Sequence, residues 1–392
     1  MRRALLMLAT LTAAAAASGL TPGVDLYVPA VGHGLGQSVN SVQANWRADI
    51  WIFNPSRTQI ATVTVYLLLR NQANPAPAAR AFAVNPGATL YLPDIVFNTF
   101  GLDNTYGGLR IISPIPVAVT GQSYDANVTV ESKQRGTGTA GQFFSAAPAQ
   151  SAIVIGDATD LIGVDQDGAG TNGTWRSNLA LVETTGNSVV LEIQRYDGSG
   201  LFVGSIPLSL SGREVYQLNY VLTSIAPAFG TDQRVRVVVT DGTGAVLASV
   251  SRIDNRTGDP STVEMLGGGR DGVYLAKLDK TTYDTPVTLT VSGGAVIQID
   301  ATVLFTSEDA GAGCTGGELL RLAQSLSPPA VLSDGAFSFV VSGTATGVTA
   351  TMQLNGSITG YGTLTGTATT TLTGAGACNG SKVWPLVGAR LP

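Results

Sequence analysis

The sequence is poor in the residues on which most enzyme chemistry depends. It has one histidine (His33), two cysteines (Cys314 and Cys378) and four lysines in 392 residues. A histidine-based catalytic triad has only His33 to draw on. Neither a multi-histidine zinc site nor an all-cysteine zinc finger can be assembled within one chain. Charged residues make up 12%, against roughly 25% in an average soluble domain. With 22 basic and 27 acidic side chains the formal net charge is -5. Clustered cations that could follow a phosphate backbone are missing, so no nucleic-acid partner is expected.

The chain is instead rich in apolar residues and glycine. A hydrophobic content of 44% can fill real cores, which excludes a disordered polymer. Glycine (48) and proline (18) together stay below the roughly 25–30% that marks low complexity. At the N-terminus Arg2 and Arg3 precede an apolar run from Ala4 to Leu11 and the small residues Ala13 to Gly19. This pattern predicts a signal peptide over 1–18, and the run is short of the roughly 20 residues of a membrane span. The mature chain is therefore expected to be secreted or on the cell surface, periplasmic or extracellular, with no membrane span.

Beyond residue 24 short β-branched runs dominate, such as Thr62–Leu67, Val189–Ile193 and Val235–Val239. Glycine, proline, asparagine and aspartate interrupt them every ten residues or so, as in antiparallel sandwiches and barrels. Only Glu318–Ser325 has a helical look. An internal repeat organises the pattern. Trp46-Arg47-Ala48-Asp49-Ile50 returns 129 residues later as Trp175-Arg176-Ser177-Asn178-Leu179, and Phe100-Gly101 returns as Phe229-Gly230 at the same offset. Between them Leu92-Pro93-Asp94 answers Leu218-Asn219-Tyr220, with compensating gaps. The expected fold is all-β: two tandem homologous antiparallel β-sandwich modules, 24–145 and 150–262, then a third β-rich C-terminal domain, 271–392. Each module is expected to open with a strand (Leu26–Val31; Ile153–Ile155), then a glycine-rich loop, then the Trp-Arg strand and a hairpin tipped by Asn54-Pro55-Ser56 or Thr185-Gly186-Asn187.

The Trp-Arg-x-Asp/Asn-Ile/Leu strand and the later Asp254–Pro260 segment resemble tandem sandwich modules of secreted bacterial proteins of unknown function. The tail is similar to small C-terminal β domains of exported bacterial proteins. It has a cysteine before the Asp334-Gly335-Ala336-Phe337 turn, then Gly362–Gly366, and a second cysteine before a final Trp strand. The resemblance implies architecture and carries no catalytic motif.

Repetition also sorts the candidate sites. Trp46 and Trp175 recur, which predicts buried core residues. Arg47 with Asp49, and Arg176 with Asn178, share the opposite strand face and suit a structural polar network. Trp51 and Phe53 stand on that second face without an aromatic counterpart. They could stack on a sugar ring, or they could cover a contact between modules. The densest acidic stretch, Asp157-Ala158-Thr159-Asp160 with Asp165-Gln166-Asp167-Gly168, offers Asp160, Asp165 and Asp167 as oxygen ligands for calcium. A solvated turn is the simpler reading, and no other cofactor is expected. Thr363 to Thr373 place six threonines on one strand face, a pattern that fits an ordered lattice or simply a wet sheet surface. His33, in the Gly32–Gly36 run, has no neighbour in sequence to orient it. Cys314 and Cys378 are expected to pair in an oxidising compartment. Closing a loop of this length is worth about 4 kcal/mol in chain-entropy terms.

These features point to an exported non-enzymatic adhesion, binding or assembly protein with an extracellular protein or glycan as partner. The alternatives are a polysaccharide-binding accessory protein with Trp51 and Phe53 as platform, and a two-carboxylate hydrolase. Oligomeric state is not written in the sequence.

Overall fold

Alternating apolar and polar residues along short β-branched runs force one side of each strand inward and leave the other to water. The computed structural model describes residues 20–39, 42–129, 137–266, 270, 272–280, 285–292, 295–310, 314, 318–332, 335–345, 347–358 and 362–391. The expected signal peptide (1–18), the glycine run 267–269, the hairpin tip 293–294, residues 311–313 before Cys314, and residue 334 lie outside the described residues. The rest is nearly all antiparallel β-structure with a few short helical turns. Among the described residues no helix is long and apolar enough to cross a membrane.

The first repeat contains β1 (Gly23–Val39), β2 (Val42–Phe53), β3 (Ala61–Leu69), β4 (Ala78–Val84), β5 (Thr89–Leu92), β6 (Thr105–Thr129), β7 (Thr137–Ser145) and β8 (Ala147–Pro148). One layer runs β4-β3-β6-β1 and the other β5-β2-β6-β7, because β6 is long enough to pair in both. Leu26, Val28, Ile50, Ile52, Val63, Val65, Leu109 and Val119 fill the space between them.

The second repeat comprises β9 (Ala158–Gln166), β10 (Trp175–Glu183), β11 (Val189–Tyr196), β12 (Phe202–Leu210), β13 (Val215–Leu218), β14 (Gly230–Gly242), β15 (Val246–Asp254) and β16 (Pro260–Glu264). Its sheets run β12-β11-β14-β9 and β13-β10-β15-β16 over a core of Leu161, Leu179, Leu181, Ile193, Val237 and Val250.

Registers in the two repeats coincide. Trp46 pairs with Asp125 as Trp175 pairs with Asp254, and Ile50 with Leu92 as Leu179 with Leu218. After β5 and β13 the chain passes through a left-handed residue, Asp94 (φ 42) or Tyr220 (φ 53), into a short helical turn at Ile95–Thr99 or Val221–Ile225. The backbone N–H of that residue donates to Asp49 Oδ1 at 2.8 Å in one copy and to Asn178 Oδ1 at 3.1 Å in the other. A short side-chain acceptor at this strand position is thus a structural requirement.

Several local expectations change. The strand β1 runs straight through Gly32–Gly36, where a loop was expected. A Cβ at Gly32 would sit 2.4 Å from Tyr106 and one at Gly36 2.3 Å from the Trp46 indole, so glycine serves close packing there. Ile153 makes only an isolated bridge to Val246, and the first strand of the second repeat is β9, within the supposed acidic loop. The Asn54 and Thr185 segments are not hairpin tips, since the strands on either side belong to different layers. These crossings are anchored by Asn54 and Glu183, both fully buried polar side chains at equivalent positions. Asn54 Nδ2 donates to Gln59 and Val84 carbonyls; Glu183 accepts from the N–H groups of Thr185, Gly186, Arg213 and Ala245. Trp46 and Trp175 face inward but are only half-buried: Trp46 borders the cleft between the repeats and Trp175 is the first residue of β10. Arg252 lies 4.3 Å over the Trp175 ring.

The C-terminal region is a single antiparallel sheet of β17 (Gly272–Leu278), β18 (Thr285–Ser292), β19 (Ala295–Phe305), β20 (Glu318–Val331), β21 (Ala336–Ala345), β22 (Val348–Ile358), β23 (Thr363–Thr373) and β24 (Gly380–Arg390). The order is β20-β19-β18-β17-β24-β23-β22-β21. The sheet curls around one core until its edges meet, and a Cβ at Gly343 on β21 would touch Leu322 of β20 at 2.9 Å. Glu318–Ser325, expected to be helical, is part of strand β20. Leu320, Leu322 and Leu326 point into the core, and pairing with β19 overrides a weak helical propensity. Cys314 and Cys378 form a disulfide with Cα atoms 4.5 Å apart. Beside it the buried Lys280 Nζ donates to Asp309 Oδ1 at 2.8 Å, and the Trp384 indole N–H donates to the same oxygen at 3.0 Å. Arg270 joins this region to the second repeat through Asp157 at 2.8 Å and the Ile358 carbonyl at 2.8 Å.

Candidate binding face and cleft

The strand that carries the repeat motif presents Arg47, Asp49, Trp51 and Phe53 outward in the first copy, and Arg176, Asn178, Ala180 and Val182 in the second. Cross-strand neighbours extend the contrast. Trp51 faces Tyr91 where Ala180 faces Gln217, and Gln122 faces Phe143 where Ser251 faces Thr262. In the second copy one half of the face is apolar, with Val182, Val215, Ala245 and Leu247, and is buried against Tyr27, Leu68 and Ala152. The Tyr27 hydroxyl donates to the Thr184 carbonyl at 2.7 Å, and the Asn74 amide donates to the Arg213 carbonyl at 2.9 Å. Burial drives the Tyr27 phenol well above its ordinary pKa, with Asp25 adding to the shift.

Among the described residues, nothing comparable covers the corresponding face of the first repeat. Phe143 is 58% exposed, Tyr91 48% and Phe53 39%. Trp51 is half-buried between its neighbours, with Tyr91 stacked on it at 5.1 Å and Phe143 tilted against it at 6.2 Å. Because β5 and β7 lie on opposite sides of β2, the indole has a ring on either side and does not lie flat as a platform. Trp51 and Phe53 are therefore part of a larger aromatic cluster. Tyr91 could be found as the residue aligned with Gln217 in the second repeat; Phe143 could not, because the register of β7 is a tertiary property.

A polar network closes one end of this face. Tyr91 donates to Asp49 Oδ2 at 2.7 Å, and this hydrogen bond pushes its pKa up to about 12. Arg47 Nε lies 3.2 Å from Asp94 Oδ2. His33, for which no orienting partner was expected, is held by Asp94 at Nδ1 (2.9 Å) and lies 3.3 Å from Asp103 at Nε2, with Phe97 stacked at 4.7 Å. Both ring nitrogens face carboxylates, so the imidazole acts as a clasp between β1 and the segments after β5 and before β6. Those partners come from residues 61 and 70 positions away, beyond any local motif.

The acidic candidates are dispersed. Asp160 pairs with Arg234 at 2.6 Å; Asp165 pairs with Arg252 at 2.8 Å and accepts the Asp232 N–H; Asp167 accepts the Trp175 N–H at 2.8 Å. Alternation along β9 and separate partners turn these oxygens apart. Among the described residues no group of three or more His, Cys, Asp or Glu could hold a metal ion. The alternate threonines of β23 from Thr363 to Thr373 do face outward, beside Thr351, Gln353 and Asn355 of β22, while Thr370 is buried.

Where the two repeats part company a cleft of about 340 Å³ remains, at the small end of the roughly 300–1,000 Å³ of ligand sites. Trp46 and Tyr106 line it from the first repeat, Arg176, Asn178, Gln217 and Tyr220 from the second, and Arg70 reaches in from the end of β3. Its lining contains no aspartate or glutamate. No family model matches the chain, and neither curated proteins nor solved structures show a match to it.

Proposed function

We propose that the chain is an exported, non-enzymatic binding protein of the adhesion or assembly class that takes an extracellular protein partner on the aromatic face of its first repeat. One observation carries this reading: the equivalent face of the second repeat is buried against the first repeat of the same chain, while that of the first is, among the described residues, exposed and aromatic. Tyrosine, tryptophan and phenylalanine concentrate at protein interfaces because they bury large area at low entropic cost. The Cys314–Cys378 disulfide supports residence in an oxidising compartment. A two-carboxylate hydrolase finds no support in the cleft, whose lining lacks both carboxylate types. A polysaccharide-binding role retains one argument, the outward ring surfaces of Tyr91 and Phe143.

The test is to present the mature chain both to extracellular and surface proteins of its source cells and to a glycan array. A Trp51→Ala/Phe143→Ala variant with unchanged circular dichroism should lose about ten-fold or more in affinity for the captured protein. Undiminished capture by that variant overturns the proposal. Saturable glycan binding that the variant loses transfers the face to the polysaccharide reading.

A further inference from the structure

The cleft between the repeats departs from the charge pattern of the rest of the molecule. In a chain with a net charge of -5, five of the buried and half-buried arginines, Arg47, Arg110, Arg234, Arg252 and Arg270, each meet an aspartate. Arg176 and Arg70 do not. Arg176 is 6% exposed, and its hydrogen-bond partner is the neutral Asn255 amide oxygen. Arg70 donates to Gln217 Oε1 at 2.9 Å and lies 5.0 Å over the Tyr106 ring. Burial lowers the pKa of both guanidiniums, and the ionisable neighbours that act on them are tyrosines, Tyr220 and Tyr106. A sequestered guanidinium normally needs an anion to offset its desolvation. Arg195 shows the other solution, a ring of backbone carbonyls from Leu222, Ala228 and Phe229 with Gln233. Arg176 has no such ring.

The space beside these cations is kept open by sequence. Gly32 and Gly36 both line the cleft, and a Cβ at either would strike Tyr106 or Trp46. The remaining wall combines aromatic rings and neutral amide and hydroxyl groups with aliphatic residues such as Val31, Val215 and Ile253. Rings suit the apolar face of a pyranose, and amide oxygens such as Asn178 Oδ1 accept from hydroxyl donors. A bare phosphate or sulfate has little use for either. We propose that this cleft binds a carboxylate-bearing sugar residue, a uronic acid, with Arg176 and Arg70 facing its charge and Trp46, Tyr106 and Tyr220 its ring. The site is separate from the aromatic face proposed above and stands or falls independently of it.

Calorimetric titration of the full mature chain with D-galacturonate and with D-galactose at low salt tests this. Galacturonate should bind about ten-fold or more tightly than galactose, and Arg176→Gln should remove about ten-fold or more of that affinity. If Arg176→Gln fails to fold, the half-buried Arg70→Gln carries the same comparison. Trp51→Ala/Phe143→Ala should bind galacturonate as the parent does, which keeps the two surfaces distinguishable. Equal affinity for the two sugars, no saturable binding at millimolar concentration, or undiminished binding in a folded arginine variant each overturns the proposal. Competition by sulfate at the same potency as galacturonate overturns the assignment to a sugar.

Discussion

The two repeats share their registers, their left-handed corner and the position of their buried polar anchor, yet put the same strand face to different uses. In the second, Ala180 and Val182 lie low, so that Tyr27 and Leu68 can pack on the sheet. In the first, Trp51 and Phe53 stand at the corresponding positions, and among the described residues only the rings of Tyr91 and Phe143 pack on Trp51 while Phe53 stays exposed. A conserved interior therefore leaves the outward positions of a strand free to be small and docked, or large and bare. The anchors differ as well, with a neutral amide at Asn54 and a carboxylate at Glu183, each fully buried.

The largest effect is expected at the anchors. Glu183→Ala leaves four backbone N–H groups without their acceptor and should cost about 4 kcal/mol, against about 2 kcal/mol for Asn54→Ala. Chemical denaturation of the two variants measures both, and equal losses would mean that the charge at Glu183 adds nothing. Alkaline pH provides the next test. The Tyr27 phenol has a folded-state pKa raised above its unfolded value of about 10, so its contribution is complete below that pH. It is lost as pH rises toward the folded value, at about 1.4 kcal/mol per pH unit. Melting curves across this range should show a steeper fall for the parent than for Tyr27→Phe. Tyr91, also raised, is half-exposed and screened, so Tyr91→Phe should leave the alkaline slope unchanged. Matched substitutions on the shared face come third. Val182→Ser, inside the contact, should lose about 2 kcal/mol, whereas Phe53→Ser should stay within about 0.5 kcal/mol. If both cost the same, the face of the first repeat is not free. Between these two falls Trp51→Ala, expected to cost up to about 1 kcal/mol in stability, since its neighbours are themselves surface residues.

Much of this comparison was legible in the sequence. The offset between Trp46 and Trp175 located the equivalent strands, and the alignment of Leu92-Pro93-Asp94 with Leu218-Asn219-Tyr220 fell on the left-handed corner. The absence of an aromatic counterpart for Trp51 marked the two faces as different, and left open which of them is covered. Half-burial of the two repeated tryptophans was not legible, because their strand face is inward and their exposure depends on the elements that pack, or fail to pack, around them. The strand at Glu318–Ser325 was hidden for a related reason: its core-facing leucines also suit a helix, and the choice is made by the edge of β19.

By itself the sequence determined what local chemistry can determine: an all-β chain, a repeat, little capacity for histidine or thiol catalysis, and two cysteines able to pair. Those follow from residue counts and from a period of two, which need no knowledge of neighbours. Only the tertiary structure decided which faces are covered, that Asp160, Asp165 and Asp167 answer to different partners, that His33 is clasped by Asp94 and Asp103, and that Arg70 and Arg176 share a cleft without an acid. Each of these depends on residues brought together across sheets and repeats, and the energy of a charge or an aromatic ring is set by what lies within a few ångströms of it, whatever its distance along the chain.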